Sequence, residues 1–572
     1  MTPPRLPAFG LLPCLLLLTA CASQPTAPVE PAAPPVAPSP ETVTRPFDRD
    51  TLLELLVAEF AAKRERPELT LGTYIKVAER TRDPAVAERA SGIARFMAPP
   101  SVALDAALLW TEVDTGNPSA HEAAATQLIR ANRLDEAMDH VEQLLESNIE
   151  LNFDFLLNAT RGASPETLRS LTARFDALLK KYPTNHQLWF SRGLLRHEQD
   201  ASAGMDDIDE SLRLEPRYVN AIIAKSRLLE EQDDMEEAET VLRNATLADP
   251  ANKRFGLSLA RLLLREKKLA DAQDEFERLS RAFPDDTDLT LSLALVAWEN
   301  KAEEQAIAQL EKLVDTERGG EAHSYLGRIA TAQGRTREAV EHFSLVPPGP
   351  QFNAARIQMA GLQAQLKEYD ALRETLSQAR QLSPKDKLQF WLVESELLGE
   401  AGEHETALKV LEAAGRENPD EPNIRYAHAM LLGQMGKLER METELRAILL
   451  KDPDNTDALN ALGYTLADQN RNLTEAADLI GRAYAKAPEN PAIIDSMGWL
   501  KYRQGDLPGA ATLLRKAYAS FPDHEVAAHL GEVLWVQGQR DEALKIWQDG
   551  LSRHPTSTLI GITMKRLGAS LP

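Results

Sequence analysis

From residue 48 onward apolar side chains recur three and four positions apart, with charged residues between them. The stretches TLLELLVAEFAAKR (51–64), PAVAERASGIARFM (84–97) and ANRLDEAMDHVEQLL (131–145) show this clearly. That spacing puts an apolar stripe on one side of a helix. No span keeps the strict alternation of a half-buried strand, so an all-α fold is predicted. Prolines punctuate the pattern at 183, 216, 250 and 284, and again at 384, 419, 453, 488, 522 and 555. Successive members lie 33 to 35 residues apart, and the 100-residue gap between 284 and 384 holds three more such steps. A fixed period of this length signals stacked copies of one small unit.

Within the units small and apolar residues hold fixed places. Gly498, Ala510, Leu514, Ala517 and Pro522 form one set, Gly463, Ala476, Ala483 and Pro488 a second, and Gly531, Ala543, Trp547 and Pro555 a third. A small residue lets two helices cross closely, and a proline ends the second helix of a pair. Period and pattern together resemble the tetratricopeptide repeat. The resemblance implies a right-handed superhelical solenoid of helix hairpins, about eleven of them over 187–555, with a concave face lined by the first helix of each hairpin. The units near Gly193, Ala306, Met359 and Met441 are degenerate. The expected domains are 1–20, 21–47, 48–184 and 185–572, the third an irregular helical region read as decayed repeats.

Charge narrows the partners. Asp and Glu number 87 against 64 Lys and Arg, a formal charge of −23, and such a polyanion is repelled by nucleic acid and by anionic membrane surfaces. The two cysteines, Cys14 and Cys21, both lie at the start of the chain, which leaves the rest without disulfides or thiolate metal sites. Residues 1–20 carry Arg5 and the apolar run Leu11 to Leu18, the makings of an export signal. Leu18-Thr19-Ala20-Cys21 resembles the lipobox of bacterial lipoproteins, which implies cleavage before Cys21 and acylation of its thiol. Ala22 in the next position implies outer-membrane sorting, with the protein facing the periplasm. Residues 22–46 contain eight prolines and read as an extended spacer of roughly 3.1 Å per residue.

Motifs for chemistry are missing. No HExxH pair, GxSxG elbow, phosphate loop or dinucleotide glycine fingerprint occurs. The expectation is therefore no enzyme, no cofactor and no metal. In the repeat family the residue after the small crossing position points into the groove. Carried over, this assigns Tyr464 and Trp499 to the groove, with Tyr502 and Trp535 one turn along the same helices. Arg503 and Arg540 lie close to them in sequence.

The segments TLGTYIKVAERTRDPAVAERASGIARF, ALNALGYTLAD and DSMGWLKYRQGDLPGAATLLRKAYASFPDHEVAAHLGEVLW resemble a proteobacterial family of tetratricopeptide lipoproteins. One member type is the adaptor that tethers a periplasmic carboxyl-terminal processing protease, a serine protease, and presents cell-wall hydrolases to it. That resemblance implies those two partners, with the stripe Leu52, Leu56 and Phe60 docking the protease. The rival expectation is a scaffold for assembly of outer-membrane proteins, pili or polysaccharide exporters.

Overall fold

The structure, a computed structural model, describes residues 46–64, 66–147, 164–197 and 200–570. Cys21, the expected signal segment 1–20 and nearly all of the proline-rich stretch lie outside the described residues. Every regular element among the described residues is helical. They form two compact units, 46–302 and 303–570.

In the first unit helix pairs run Arg49–Lys63 with Pro67–Thr81, Pro84–Met97 with Pro100–Val113, and Pro118–Arg130 with Leu134–Glu146. After Pro165–Lys181 come three more pairs whose first helices begin at His186, Val219 and Lys253, and then Thr287–Glu299. The first helices thus start at 49, 84, 118, 186, 219, 253 and 287. A step near 34 residues runs through the region that breaks the proline rhythm, because its prolines Pro67, Pro84, Pro100 and Pro118 open helices there. Proline suits a first helical position, where no N–H is needed.

The second unit opens with Glu303–Glu311 and continues through seven hairpins from Gly319 to Arg553. Three devices recur among the hairpins of both units. An Asp or Asn caps several of the first helices, as where Asp286 accepts from the Leu289 N–H at 3.0 Å and Asn455 from Ala458 at 3.0 Å. A residue with positive φ then turns the chain into the second helix, at Asp233, Lys267, Lys301, Gly334, Lys367, Gly402, Gly436, Asn470, Gly505 and Gly538. Finally the residue before each closing proline is forced out of the helical region. Asp249, Phe283, Asn418 and Ala487 all sit near φ −135°, ψ 70°.

Packing follows from the small residues. A methyl group on Gly498 would stand 2.8 Å from Leu514 Cγ, so glycine allows Pro491–Arg503 to cross Leu507–Ser520 at close range. In the last repeats Thr456–Asp468 touches Pro491–Arg503, which touches His524–Val536, which touches the closing helix Thr558–Arg566. The second helices make no comparable contact with one another; long side chains bridge them instead, such as Arg446 to Glu475 and Arg515 to Glu542. First helices close together and second helices spread apart make the first helices the inner, concave side of this unit.

Candidate functional site

The concave side of the last three hairpins carries a polar and aromatic seam. Asp495 and His529 are both buried, and His529 Nδ1 lies 3.1 and 3.0 Å from the two Asp495 carboxylate oxygens. The other ring nitrogen, Nε2, is 3.2 Å from the Tyr464 hydroxyl, which donates to Glu525 Oε1 at 2.8 Å. Tyr464 on Thr456–Asp468 therefore reaches past the intervening hairpin to Glu525 on His524–Val536. The His529 ring stacks on Trp499 with 4.0 Å between centroids and 21° between planes. Trp499 Nε1 donates to Asp468 at 3.1 Å, and the Arg503 guanidinium lies 4.8 Å over the indole while donating to the Asp468 carbonyl at 2.8 Å. Beside it Tyr502 donates to Glu532 at 3.0 Å, and Glu532 also pairs with Arg566 of the closing helix.

Electrostatics agree with this wiring. Burial alone depresses a histidine, but the Asp495 carboxylate outweighs it and holds His529 above its ordinary value. In the imidazolium form both nitrogens donate, one to Asp495 and one to the Tyr464 oxygen. Burial, reinforced by Glu525, Asp468 and Asp495, pushes the Tyr464 hydroxyl well up. Burial and Glu532 push Tyr502 up to about 12. A tyrosine hydroxyl pushed up in this way is the reverse of an activated nucleophile. The seam joins repeats.

The four residues assigned to the groove divide accordingly. Tyr464 and Trp499 come together around His529, and Tyr502 lies 5.0 Å from Trp499. Trp499 is 3% exposed, so its indole is packing between repeats and offers no open face as an anchor. Tyr464 and Tyr502 are half-buried, with their hydroxyls engaged inside the chain. Trp535 stands apart from that trio, half-buried, 5.7 Å from the fully buried Trp547 and with Arg540 5.0 Å over its ring. Leu52, Leu56 and Phe60 form an exposed stripe on Arg49–Lys63. Sequence reasoning missed Asp495, Glu525 and His529. The signal was spacing by whole repeats, since Asp495 and His529 are 34 residues apart.

Comparison with known proteins places this architecture. Tetratricopeptide-repeat family models match residues 223–272, 257–321, 320–343, 399–463 and 496–557. The TPR repeat-containing protein PA4667 of Pseudomonas aeruginosa is 39% identical over 532 residues, 92% of this chain and 90% of that protein. The human protein O-mannosyl-transferase TMTC1 is 23% identical over 223 residues, 38% of this chain and 25% of its own length. Among solved structures, Naa15/Naa10 bound to HypK-THB shares 15% identity over 72% of each chain with a TM-score of 0.34, too loose a superposition to position any residue. The repeats make the chain a protein-interaction scaffold, and with PA4667 it belongs to the tetratricopeptide-repeat family.

Proposed function

We propose that this protein is a lipid-anchored scaffold on the periplasmic face of the outer membrane that tethers a carboxyl-terminal processing protease and presents cell-wall hydrolases to it. Leu18-Thr19-Ala20-Cys21 after a short apolar run supports the anchor, and two or three acyl chains hold a protein stably where one does not. The resemblance to the adaptor lipoproteins supports the partners. The observation that carries the reading is that the chain has two compact units, a repeat array with an inner face in 303–570 and an N-terminal unit in 46–302. One unit holds the enzyme and the other its substrate. Tethering raises their effective concentration, and the scaffold itself supplies no chemistry.

Reconstitution tests this directly. With purified protease and hydrolase, adding the scaffold speeds hydrolase degradation, and affinity capture from envelope extract recovers both partners. Degradation at the same rate with and without the scaffold sinks the reading. Capture of barrel-assembly or secretin components in place of the protease moves the protein to the assembly role.

A further inference from the structure

Two histidine pairs hold equivalent places in the array. His121 on Pro118–Arg130 and His140 on Leu134–Glu146 bring their Nδ1 atoms to 2.9 Å, and His323 on Gly319–Ala332 and His342 on Thr336–Ser344 bring theirs to 3.2 Å. The members of each pair are 19 residues apart. Each first member lies four positions before the crossing residue, Ala125 or Gly327, and each second member three positions after the buried alanine of the second helix, Ala137 or Ala339. Other hairpins fill the same places with Ile494 and Leu513, both apolar, or with Arg425 and Glu444, an ion pair at 2.8 Å. Neither of those alternatives changes its charge near neutral pH.

Two nitrogens at this distance have room for one proton between them. His121 Nε2 lies 2.9 Å from the Thr115 carbonyl oxygen, which only accepts, so Nε2 carries a hydrogen. In the neutral ring Nδ1 is then bare and accepts from His140 Nδ1. A first added proton settles on His140 at Nε2 and strengthens that bond. A second has to enter His121 at Nδ1, where two N–H groups would point at each other across 2.9 Å. The same opposition arises between His323 and His342 across 3.2 Å. His121 is buried and the other three rings are half-buried, so water screens the two charges less than it does on an open surface.

The charges around the pairs leave this conflict in force. Glu136 and Asp139 favour a charged His140, but Glu136 is taken up by Arg133, and Asp139 by Arg174 of Pro165–Lys181. Asp315 acts in the same sense on His323. At His342 the acids are Glu338 and Glu341 on its own helix and Glu311 on Glu303–Glu311, with Arg335 opposing them. Arg356 of Phe352–Gln365 is turned to the Phe343 and Val346 carbonyls. Burial outweighs the acids and holds His140, His323 and His342 below the ordinary histidine value, the partner ring adding to it at His140 and His323. An unfolded histidine takes its proton as pH falls through about 6.5, and the folded pair refuses its second one until lower pH. Stability that is complete above the unfolded value is therefore lost as pH drops below it.

We propose that the two pairs are acid-sensitive clasps: mild acid opens the hairpins 118–146 and 319–344, one in each unit, and leaves hairpins without a pair closed. The array then sheds order at two fixed places instead of melting as a whole. The clasps do not depend on the adaptor reading.

The test is hydrogen exchange on the full chain carrying Cys21→Ser, compared at about pH 5.5 and about pH 7.5 after correction for the intrinsic rate. Peptides from 118–146 and 319–344 are expected to lose protection by up to about tenfold at the lower pH, the factor by which one refused proton displaces the equilibrium about one unit below 6.5. Peptides from 253–282, a hairpin without histidine, keep theirs. His140→Asn removes the loss from 118–146 alone, because an amide offers His121 either an N–H or a carbonyl oxygen, whichever its charge requires. His342→Asn does the same for 319–344. Each variant is compared with itself at the two pH values, so a substitution that weakens its hairpin at both leaves the difference intact. Equal protection at the two pH values in the parent chain overturns the proposal. So does a loss of the same size in the asparagine variants, or one shared by 253–282. Protection at the higher pH that rises with added Zn²⁺ and no longer does so in His140→Asn gives the pair to a metal ion, and overturns it too.

Discussion

His529 Nδ1 and Asp495 Oδ2 stand 3.0 Å apart although 34 residues separate them in the chain, so the ion pair bonds one repeat to the next. Its strength depends on pH with a definite sign. His529 is held above its ordinary value; a group with a raised folded pKa adds stability that is complete below the unfolded value, about 6.5, and is lost as pH climbs through the folded one. Hydrogen exchange in peptides from Pro491–Arg503 and His524–Val536 is expected to quicken between pH 6 and 9 beyond the intrinsic rate. In Asp495→Asn that excess disappears. An equal excess in both proteins would show that the pair does not carry the effect.

Trp499 and Trp535 are expected to behave oppositely. Trp499→Ala removes a buried, stacked indole and costs about 3 to 5 kcal/mol, so any loss of partner capture follows the loss of fold. Trp535 is half-buried, and its truncation leaves more of the fold while removing an aromatic edge from the inner face. Melting curves and capture measured on the same preparations separate the two. Were Trp499→Ala to abolish capture with an unshifted melt, its ring would have to be reachable by a partner after all.

The repeat was legible in the sequence through its closing prolines rather than through its turn residues. Gly402, Gly436, Gly505 and Gly538 take positive φ at the hairpin turn, but Lys267, Lys301 and Lys367 take the same conformation with a side chain that gives no hint of it. Those lysines fall in or beside the stretch between Pro284 and Pro384 where the rhythm fades. The inner-face seam was half legible for a related reason. Tyr464, Trp499 and Tyr502 follow from their place after a crossing glycine, whereas Asp495, Glu525 and His529 acquire partners only once repeats are stacked in register. Tyr464 to Glu525 spans two repeats, and no local pattern records that.

That contrast is testable at two turns. Gly505→Ala, at φ 87°, puts a Cβ where an L residue is strained and is expected to destabilise by about 1 kcal/mol. Lys267→Gly, at φ 60°, exchanges relief of the same strain against added chain entropy, leaving a net change within about 0.5 kcal/mol. Chemical denaturation of both variants checks the asymmetry; equal losses would mean that backbone conformation does not decide these turns.

On the proposed lipid anchor, Cys21→Ser is expected to release the folded body from the membrane fraction, since the acyl chains would provide the affinity and a formal charge of −23 would provide none. Fractionation of cells expressing the variant decides it. A correctly processed Cys21→Ser product that still sediments with outer membrane would place the tether elsewhere.

A deeply buried charge in the second unit gives the sharpest stability test. Glu394 on Lys387–Glu400 is 2% exposed and pairs at 2.5 Å with Arg380 of Tyr369–Leu382, itself 8% exposed and lying 3.6 Å over the Trp391 ring. Arg373 approaches the other carboxylate oxygen at 3.5 Å from a largely solvated position. Burial pushes Glu394 up even with both guanidiniums in place. Removing the buried partner by Arg380→Met strands a carboxylate and is expected to cost about 3 to 5 kcal/mol, while Arg380→Met with Glu394→Met recovers most of it. Arg373→Ala, losing a solvated partner, costs under about 1 kcal/mol. The pH dependence of Arg380→Met identifies the cause. Its Glu394 binds a proton more tightly folded than unfolded, so the variant regains stability as pH falls, whereas a defect of packing alone is the same at pH 5 and pH 8. Urea midpoints at the two pH values distinguish these, and a deficit independent of pH would assign the loss to the missing Arg380 stem against Trp391.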